Sequence, residues 1–261
     1  MKLACIFCGH IRSWGICSKS ISENVLAPTA SSVGCATYTS RGYNVHDGRD
    51  WHENSNPILR EFIKSTRCVS ADVSENMRDH VEWASSCPMA SAWASRQDKL
   101  KVPGLRLPGI MTAKSLPGTV GMFDCWRRGV DVLLRMEEVC GTFDAVARMR
   151  FDLQLMSRPD WDSIFQDIAK GMFVSPDFCN FESKGGCNDQ MFIAPRKTWI
   201  DAMSISEKLE GYCKEDGVEL HPETIFGHHL REIGAMVVRH PLDFVIRRSG
   251  GGTHDLRRAR G

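Results

Sequence analysis

The sequence predicts an α/β protein: a mostly parallel sheet flanked by helices. Three observations lead there. Short apolar runs, each closed by glycine or a polar turn, alternate with longer stretches of helical spacing, the pattern of a layered α/β fold. The first of these runs, Leu3 to Cys8, is apolar without alternation, as a strand covered on both faces must be. The chain of 261 residues, 42% hydrophobic and 25% charged, is long enough to close such a sheet over a sizeable core.

The elements follow in order. Residues 3–8 form the first strand, and Gly9 opens the turn after it. Trp14, Cys17, Ile21 and Val25 recur at helical spacing until Pro28 stops the helix. A second strand runs from Val33 to Thr39, followed by a polar segment from Ser40 to Asn54. A short helix starts at Pro57, since proline suits the first helical position, and a strand lies around Arg67 to Val73. Residues 74–118, with Pro88, Pro103, Pro108 and Pro117 among Ser, Gly and Lys, read as long connections. Phe123, Trp126, Val130, Leu133 and Leu134 then give one long amphipathic helix that Gly141 ends. Ala145 to Ala147 opens a central strand, and the alternation of Arg148, Arg150 and Asp152 puts three polar side chains on one of its faces. Strands at Met172–Ser175 and Met191–Ala194, helices at Arg196–Glu215 and Pro222–Ile233, and closing strands at Ala235–Val238 and Asp243–Ile246 complete the set. Residues 1–246 read as one domain and residues 247–261 as a basic, glycine-hinged tail. That tail is either a solvated end or a flap that folds over a diphosphate.

Composition removes several classes. With 33 Lys plus Arg against 32 Asp plus Glu the net charge is +1, without the basic excess of a nucleic-acid binder. No apolar run approaches the roughly 20 residues that span a bilayer, so no transmembrane segment is expected. The apolar N-terminus reads as a buried strand rather than a signal peptide, having no small-residue cleavage site after it. The 11 cysteines are odd in number and irregular in spacing. Cys5 and Cys8, three apart on a strand, point to opposite faces and make a poor metal clamp. Unpaired cysteines in this number point to a reducing compartment, the cytoplasm. No dinucleotide fingerprint, P-loop, H-E-x-x-H or G-x-S-x-G elbow is present.

Ligands of parallel sheets bind at the carboxyl ends of the strands, which directs attention to a few segments. Gly9-His10-Ile11-Arg12 follows the first strand: glycine lets a backbone approach a ligand and arginine pairs with phosphate, or the segment is a turn with one exposed Arg. Thr39 ends the second strand. Arg148, Arg150 and Asp152 converge at the end of the central strand. They form either a structural ion pair or an anion and metal site, with Arg for phosphate and Asp for Mg²⁺ or Mn²⁺. In Lys184-Gly185-Gly186-Cys187-Asn188-Asp189-Gln190 a glycine turn precedes what reads as a helix start. There Asn188 or Asp189 caps, or Asp189 takes a proton from a hydroxyl. His221-Pro222-Glu223 opens a helix that faces the same cleft, whereas His229 falls on that helix's apolar stripe and reads as packed.

Taken in order, these pieces resemble small nucleotide-sugar-dependent glycosyltransferases of the GT-A fold, a Rossmann-like fold, of the kind found in bacterial surface-polysaccharide clusters and large DNA viruses. The matching features are Gly9-His10-Ile11-Arg12, the strand Phe143-Asp144-Ala145-Val146-Ala147-Arg148-Met149-Arg150-Phe151-Asp152-Leu153, the segment Gly185 to Gln190 and His221-Pro222-Glu223. The resemblance covers roughly residues 2–14 and 120–246. It implies transfer of a sugar from a nucleotide-sugar donor, UDP-linked in the first instance, to an oligosaccharide or glycan hydroxyl. It also implies roles. Gly9, His10, Arg12, Thr39, Arg148, Arg150, Asp152, Gly186 and Asn188 line the donor, and Asp189 is the base of an inverting transfer. Asp152 stands where the last carboxylate of an Asp-x-Asp motif binds Mn²⁺ or Mg²⁺, with His221 or His228 as a second ligand. Arg150 occupies that motif's first position, where it could itself neutralise diphosphate charge. Two other readings compete: a metal-dependent phosphohydrolase or nucleotidase built on Asp152, Glu223 and histidines, and a non-catalytic nucleotide-sugar- or glycan-binding protein.

Overall fold

The computed structural model describes residues 1–11, 13–38, 42–43, 50–51, 56–74, 116–214, 218, 221–247 and 253–254. Of the candidate site residues, Arg12 and Thr39 lie outside the described residues, as do residues 75–115, most of the segment 40–55, and residues 248–252 and 255–261 of the tail.

The chain is a mixed α/β fold. Strand β1 (Leu3–His10) pairs in parallel with β2 (Ser32–Tyr38) on one side and β6 (Ala145–Met149) on the other. The sheet continues outward through β5 (Ser70–Ser74) beyond β2. On the other flank it continues through β9 (Met191–Pro195), β8 (Phe173–Pro176) and β10 (Val237–His240). The order of the 7-stranded sheet is β10-β8-β9-β6-β1-β2-β5, and β9 alone among them runs antiparallel to its neighbours. Two short strands, β3 (Gly42–Tyr43) and β4 (Asp50–Trp51), pair with each other in the segment read as polar loop.

Alternation along β1 explains how both faces are covered. Leu3, Cys5 and Phe7 pack with Trp14, Cys17 and Ile21 of α1 (Trp14–Ile21) and with Phe62 of α2 (Asn56–Thr66). Ala4, Ile6 and Cys8 face the other way, onto Phe123, Trp126 and Met136 of the long helix α3 (Leu116–Cys140). A continuous apolar run is what a strand with helices on both sides requires.

Local hydrogen bonds mark where the structure departs from the expected elements. After α4 (Trp161–Ala169), the helix read as 196–215 is three pieces: α5 (Arg196–Met203), a 3₁₀ turn (Ser204–Glu207) and α6 (Leu209–Lys214). Ser204 donates from Oγ to the Asp201 carbonyl at 2.6 Å, where a serine competes with the helical ladder. The strand expected through Leu153 stops at Met149. The chain turns through residues 150–152, and β7 (Leu153–Leu155) joins a separate three-stranded sheet with β11 (Phe244–Arg247) and β12 (Thr253–His254). That turn is fixed by Arg247 N–H donating to the Asp152 carbonyl at 2.8 Å. The small sheet thus reaches into the segment read as tail, and Ser13 anchors it through a 2.8 Å bond to the Arg247 carbonyl.

Gly34 lies on β2 where α3 comes closest. A Cβ there would collide with Met136 Sδ and come within 2.6 Å of Val132 Cγ1. Gly34→Ala is expected to lower unfolding free energy by about 1–3 kcal/mol through overpacking. Denaturant titration at unchanged slope checks it, and a variant as stable as the parent would show that α3 yields.

Candidate functional site

Because β9 runs antiparallel, the chain arrives at its start beside the point where β6 ends, with Met149 opposite Met191. The turn after β6 and the loop before β9 therefore meet at the carboxyl edge of the parallel strands, next to Gly9 at the end of β1. Helix α7 (Pro222–Glu232) packs its first turn against the same loop, where Cys187 N–H donates to the Glu223 carbonyl at 2.9 Å. Residues some 70 positions apart in sequence come together here.

Arg148 is 1% exposed. Its guanidinium lies 4.7 Å from the centre of the Trp126 ring and donates to the Asp189 carbonyl. Burial pulls its pKa below the ordinary arginine value. The next side chain on that edge, Arg150, grips Asp152 with both tines of its fork: Nε to Oδ1 and Nη2 to Oδ2, each 2.7 Å. Its Nη1 donates to Gln190 Oε1 at 2.9 Å, and Gln190 Nε2 donates to Asp189 Oδ1. Asp152, Arg150, Gln190 and Asp189 thus form one hydrogen-bonded chain. Such side-on pairing is the strongest geometry available to arginine and carboxylate. Burial would lower the Arg150 pKa, but Asp152 outweighs it and raises the value well above the ordinary one.

The loop that presents Asp189 is not the helix start that its Asn-Asp-Gln sequence predicts. It is irregular chain leading into β9. Asn188 is used as a turn residue: its Oδ1 accepts from Gln190 N–H at 2.8 Å and its amide donates to the Phe178 carbonyl at 2.9 Å. Gly186 is a packing glycine. A Cβ there would strike the Asn180 carbonyl oxygen and come within 3.2 Å of that of Glu223.

Glu223 opens α7 beside this loop. Its carboxyl pKa is pushed well above the ordinary glutamate range, by burial first and by the Asp189 charge second, with Arg150 pulling the other way. Its Oε2 lies 3.2 Å from His221 Nδ1. His229, one face round the helix, is packed as expected, with Tyr212 Oη at 2.7 Å from Nδ1 and the Asp201 carbonyl at 2.9 Å from Nε2. His228 meets the Tyr212 ring edge-on, ring centres 4.6 Å apart. Gly9 has φ +121°, a backbone only glycine adopts readily, and a Cβ there would meet nothing within 4 Å. His10 lies against the Tyr38 ring at 5.7 Å.

Two residues the sequence reading passed over hold the site together. Arg239 on β10 donates to Asn180 Oδ1 at 2.6 Å and to Ser175 Oγ at 3.0 Å. Asn180 in turn accepts from Asn188 N–H at 2.9 Å. A charged residue inside the apolar run of β10 was the available signal.

The donor set does not fit a resident divalent cation. Both oxygens of Asp152 are engaged by Arg150, and His221 Nδ1 faces Glu223. Among the described residues no three His, Cys, Asp or Glu side chains converge as a metal cage. No helix among the described residues is long and apolar enough to cross a membrane.

No family model matches the chain, and no curated protein matches it. Among solved structures it is similar to mouse xyloside xylosyltransferase 1 in the apo form, at 8% identity over 91% of this chain and 84% of that chain, with a TM-score of 0.42.

Two outcomes are expected. Below the ordinary glutamate value of 4.5 the folded and unfolded chains both hold the Glu223 proton. Above it only the folded chain does, so this group's contribution to stability falls as pH rises toward the folded value. Glu223→Gln should therefore gain stability relative to the parent as pH is raised from about 4.5, read by melting at a series of pH values. A difference that does not grow with pH would contradict it. Arg150→Ala, which takes the two-point guanidinium partner from the buried Asp152 carboxylate, should cost about 3–5 kcal/mol, and adding Asp152→Asn should restore part of that.

Proposed function

We propose that the chain is a glycosyltransferase that moves a sugar from a nucleotide-sugar donor, UDP-linked in the first instance, to a glycan hydroxyl. The observation that carries this reading is convergence. The strand end Arg148–Asp152, the loop Gly185–Gln190 and the helix start His221–Glu223 are the segments through which the sequence resembles such enzymes, and they meet at one edge of the sheet. Such edges are where α/β sheets bind ligands.

In this reaction the acceptor oxygen forms a bond to the anomeric carbon as the bond from that carbon to the diphosphate breaks. The nucleoside diphosphate leaves with the electron pair, and the acceptor's proton passes to the Asp189 carboxylate. The reacting sugar has oxocarbenium character, as in glycoside hydrolysis. Charge that develops on the leaving group needs fixed positive partners. Arg150 supplies one: of its five N–H bonds, three go to Asp152 and Gln190. Arg148, wholly buried, acts by setting the position of Asp189. Gly9 and His10 at the end of β1, with Arg12 and Thr39, take the nucleotide side. A base on the face opposite the leaving group gives inversion. The phosphohydrolase reading gains no support from the described residues, which bring no metal cage together.

Melting the purified protein against UDP, GDP, CMP and TDP sugars, each with and without Mn²⁺, tests the donor half. A ligand at about 100 times its Kd stabilises by about 2.7 kcal/mol, a shift of roughly 5–10 °C here. A shift confined to one nucleotide family is expected. No shift with any donor would overturn the reading, and a shift only with Mn²⁺ would show that an ion completes the site. Asp189→Asn should keep the donor shift and lose transfer by about 10²–10⁴-fold; unchanged transfer would remove Asp189 as the base.

A further inference from the structure

The loop between β8 and the 3₁₀ turn Glu182–Lys184 holds an aromatic side chain in an unfavourable place. Phe181 has φ +47° and ψ +50°, the left-handed region that non-glycine residues rarely enter, and Cys179 two positions before it has φ +53°. The residue is 42% exposed. The loop is not loose. The Phe181 carbonyl accepts from Lys184 N–H at 2.8 Å and from Gly186 N–H at 3.2 Å. Asn180 beside it donates to the Pro176 carbonyl at 2.9 Å and accepts from Asn188 and Arg239. Buried polar contacts therefore over-determine a backbone that pushes one phenyl ring into solvent. Strain of this kind persists where the surroundings enforce it, and it clusters at binding sites.

What surrounds the ring gives the strain a use. The His221 ring meets Phe181 edge-on, centres 4.2 Å apart and planes at 64°. His221 Nδ1 is 3.2 Å from Glu223 Oε2, and Glu223 is close enough to Asp189 to feel its charge. An apolar ring standing beside a planar imidazole and a carboxyl is complementary to a pyranose. One face of such a sugar carries axial C–H bonds that pack on an aromatic ring, and its edge carries hydroxyls that bond planar polar groups. The nucleotide side of the site, at Gly9 and His10, is built on a different strand end.

We propose that Phe181, His221 and Glu223 form a monosaccharide-binding subsite that seats the acceptor's pyranose ring, with Phe181 under its C–H face and the His221–Glu223 pair on its hydroxyls. Calling the sugar the acceptor rests on the transfer reading above; the binding of a pyranose does not.

The test is saturation-transfer NMR on the full chain with methyl α- and β-pyranosides of the gluco, galacto, manno and xylo series, in the absence and presence of UDP, GDP, CMP and TDP. At least one pyranoside is expected to receive saturation on its ring protons. Phe181→Ala should weaken it by about fivefold or more, the scale of one aromatic contact. Phe181→Trp should retain it, and His221→Ala should weaken it. Phe181 is exposed, so Phe181→Ala should melt no lower than the parent, and its donor-induced melting shift should be unchanged. If no pyranoside binds in any nucleotide state, or if binding is the same in Phe181→Ala, the subsite is overturned whatever the donor melts show. Pyranoside binding lost in Phe181→Ala without any donor shift would keep the subsite and overturn the transferase reading instead.

Discussion

The buried guanidinium of Arg148 is the constraint from which the site is built. A cation 1% exposed at the end of a central strand is costly unless its surroundings compensate it, and its Nε finds no hydrogen-bond partner among the described residues. Trp126 covers one side with its ring face, so the long helix α3 must lie where it does. The Asp189 carbonyl takes a hydrogen bond, so the loop before β9 must close over the strand end. With that loop in place Gln190 reaches both Asp189 and Arg150, and Arg150 reaches Asp152. One charge buried on β6 thus orders side chains from three segments.

The loop itself is held from behind by close backbone packing. A Cβ on Gly227 of α7 would collide with the Gly185 carbonyl and come within 2.7 Å of Gly186 Cα. Helix α7 can seat its first turn against the loop only because glycines meet there. Arg239 closes the other side, tying β10 to Asn180 and Ser175. The outer strands of the sheet, far from the strand ends in sequence, therefore act on the geometry of Asp189. Sites held within a fraction of an ångström need this kind of support.

Much of this was legible in the sequence, and the parts that were not have physical causes. Apolar periodicity located β1, β2, β6, β8, β9 and α3 to within a few residues, because burial on both faces leaves an unmistakable run. The polar alternation of Arg148, Arg150 and Asp152 pointed correctly to a strand end. It misplaced the strand's continuation, since the bond from Arg247 that turns the chain at residue 152 joins positions 95 apart. Asn-Asp-Gln before β9 mimicked a helix cap because the same side-chain chemistry caps helices and closes turns. Phe181 gave no signal at all: its exposure and its left-handed backbone are set by Asn180 and Arg239, not by its neighbours in sequence.

The two carboxylates at the centre of the site are placed in unlike surroundings. Asp189 accepts from the Gln190 amide and stands near Arg150. Glu223 is half-buried near the Asp189 charge, and its pKa is raised well above the ordinary range. Environments that separate neighbouring acids in this way divide their roles. A diphosphate at the strand end, as the proposed transfer requires, would add negative charge and favour the Glu223 proton further. In the proposed transfer Glu223 is then placed to donate to a sugar hydroxyl, and Asp189 is the group placed to accept a proton.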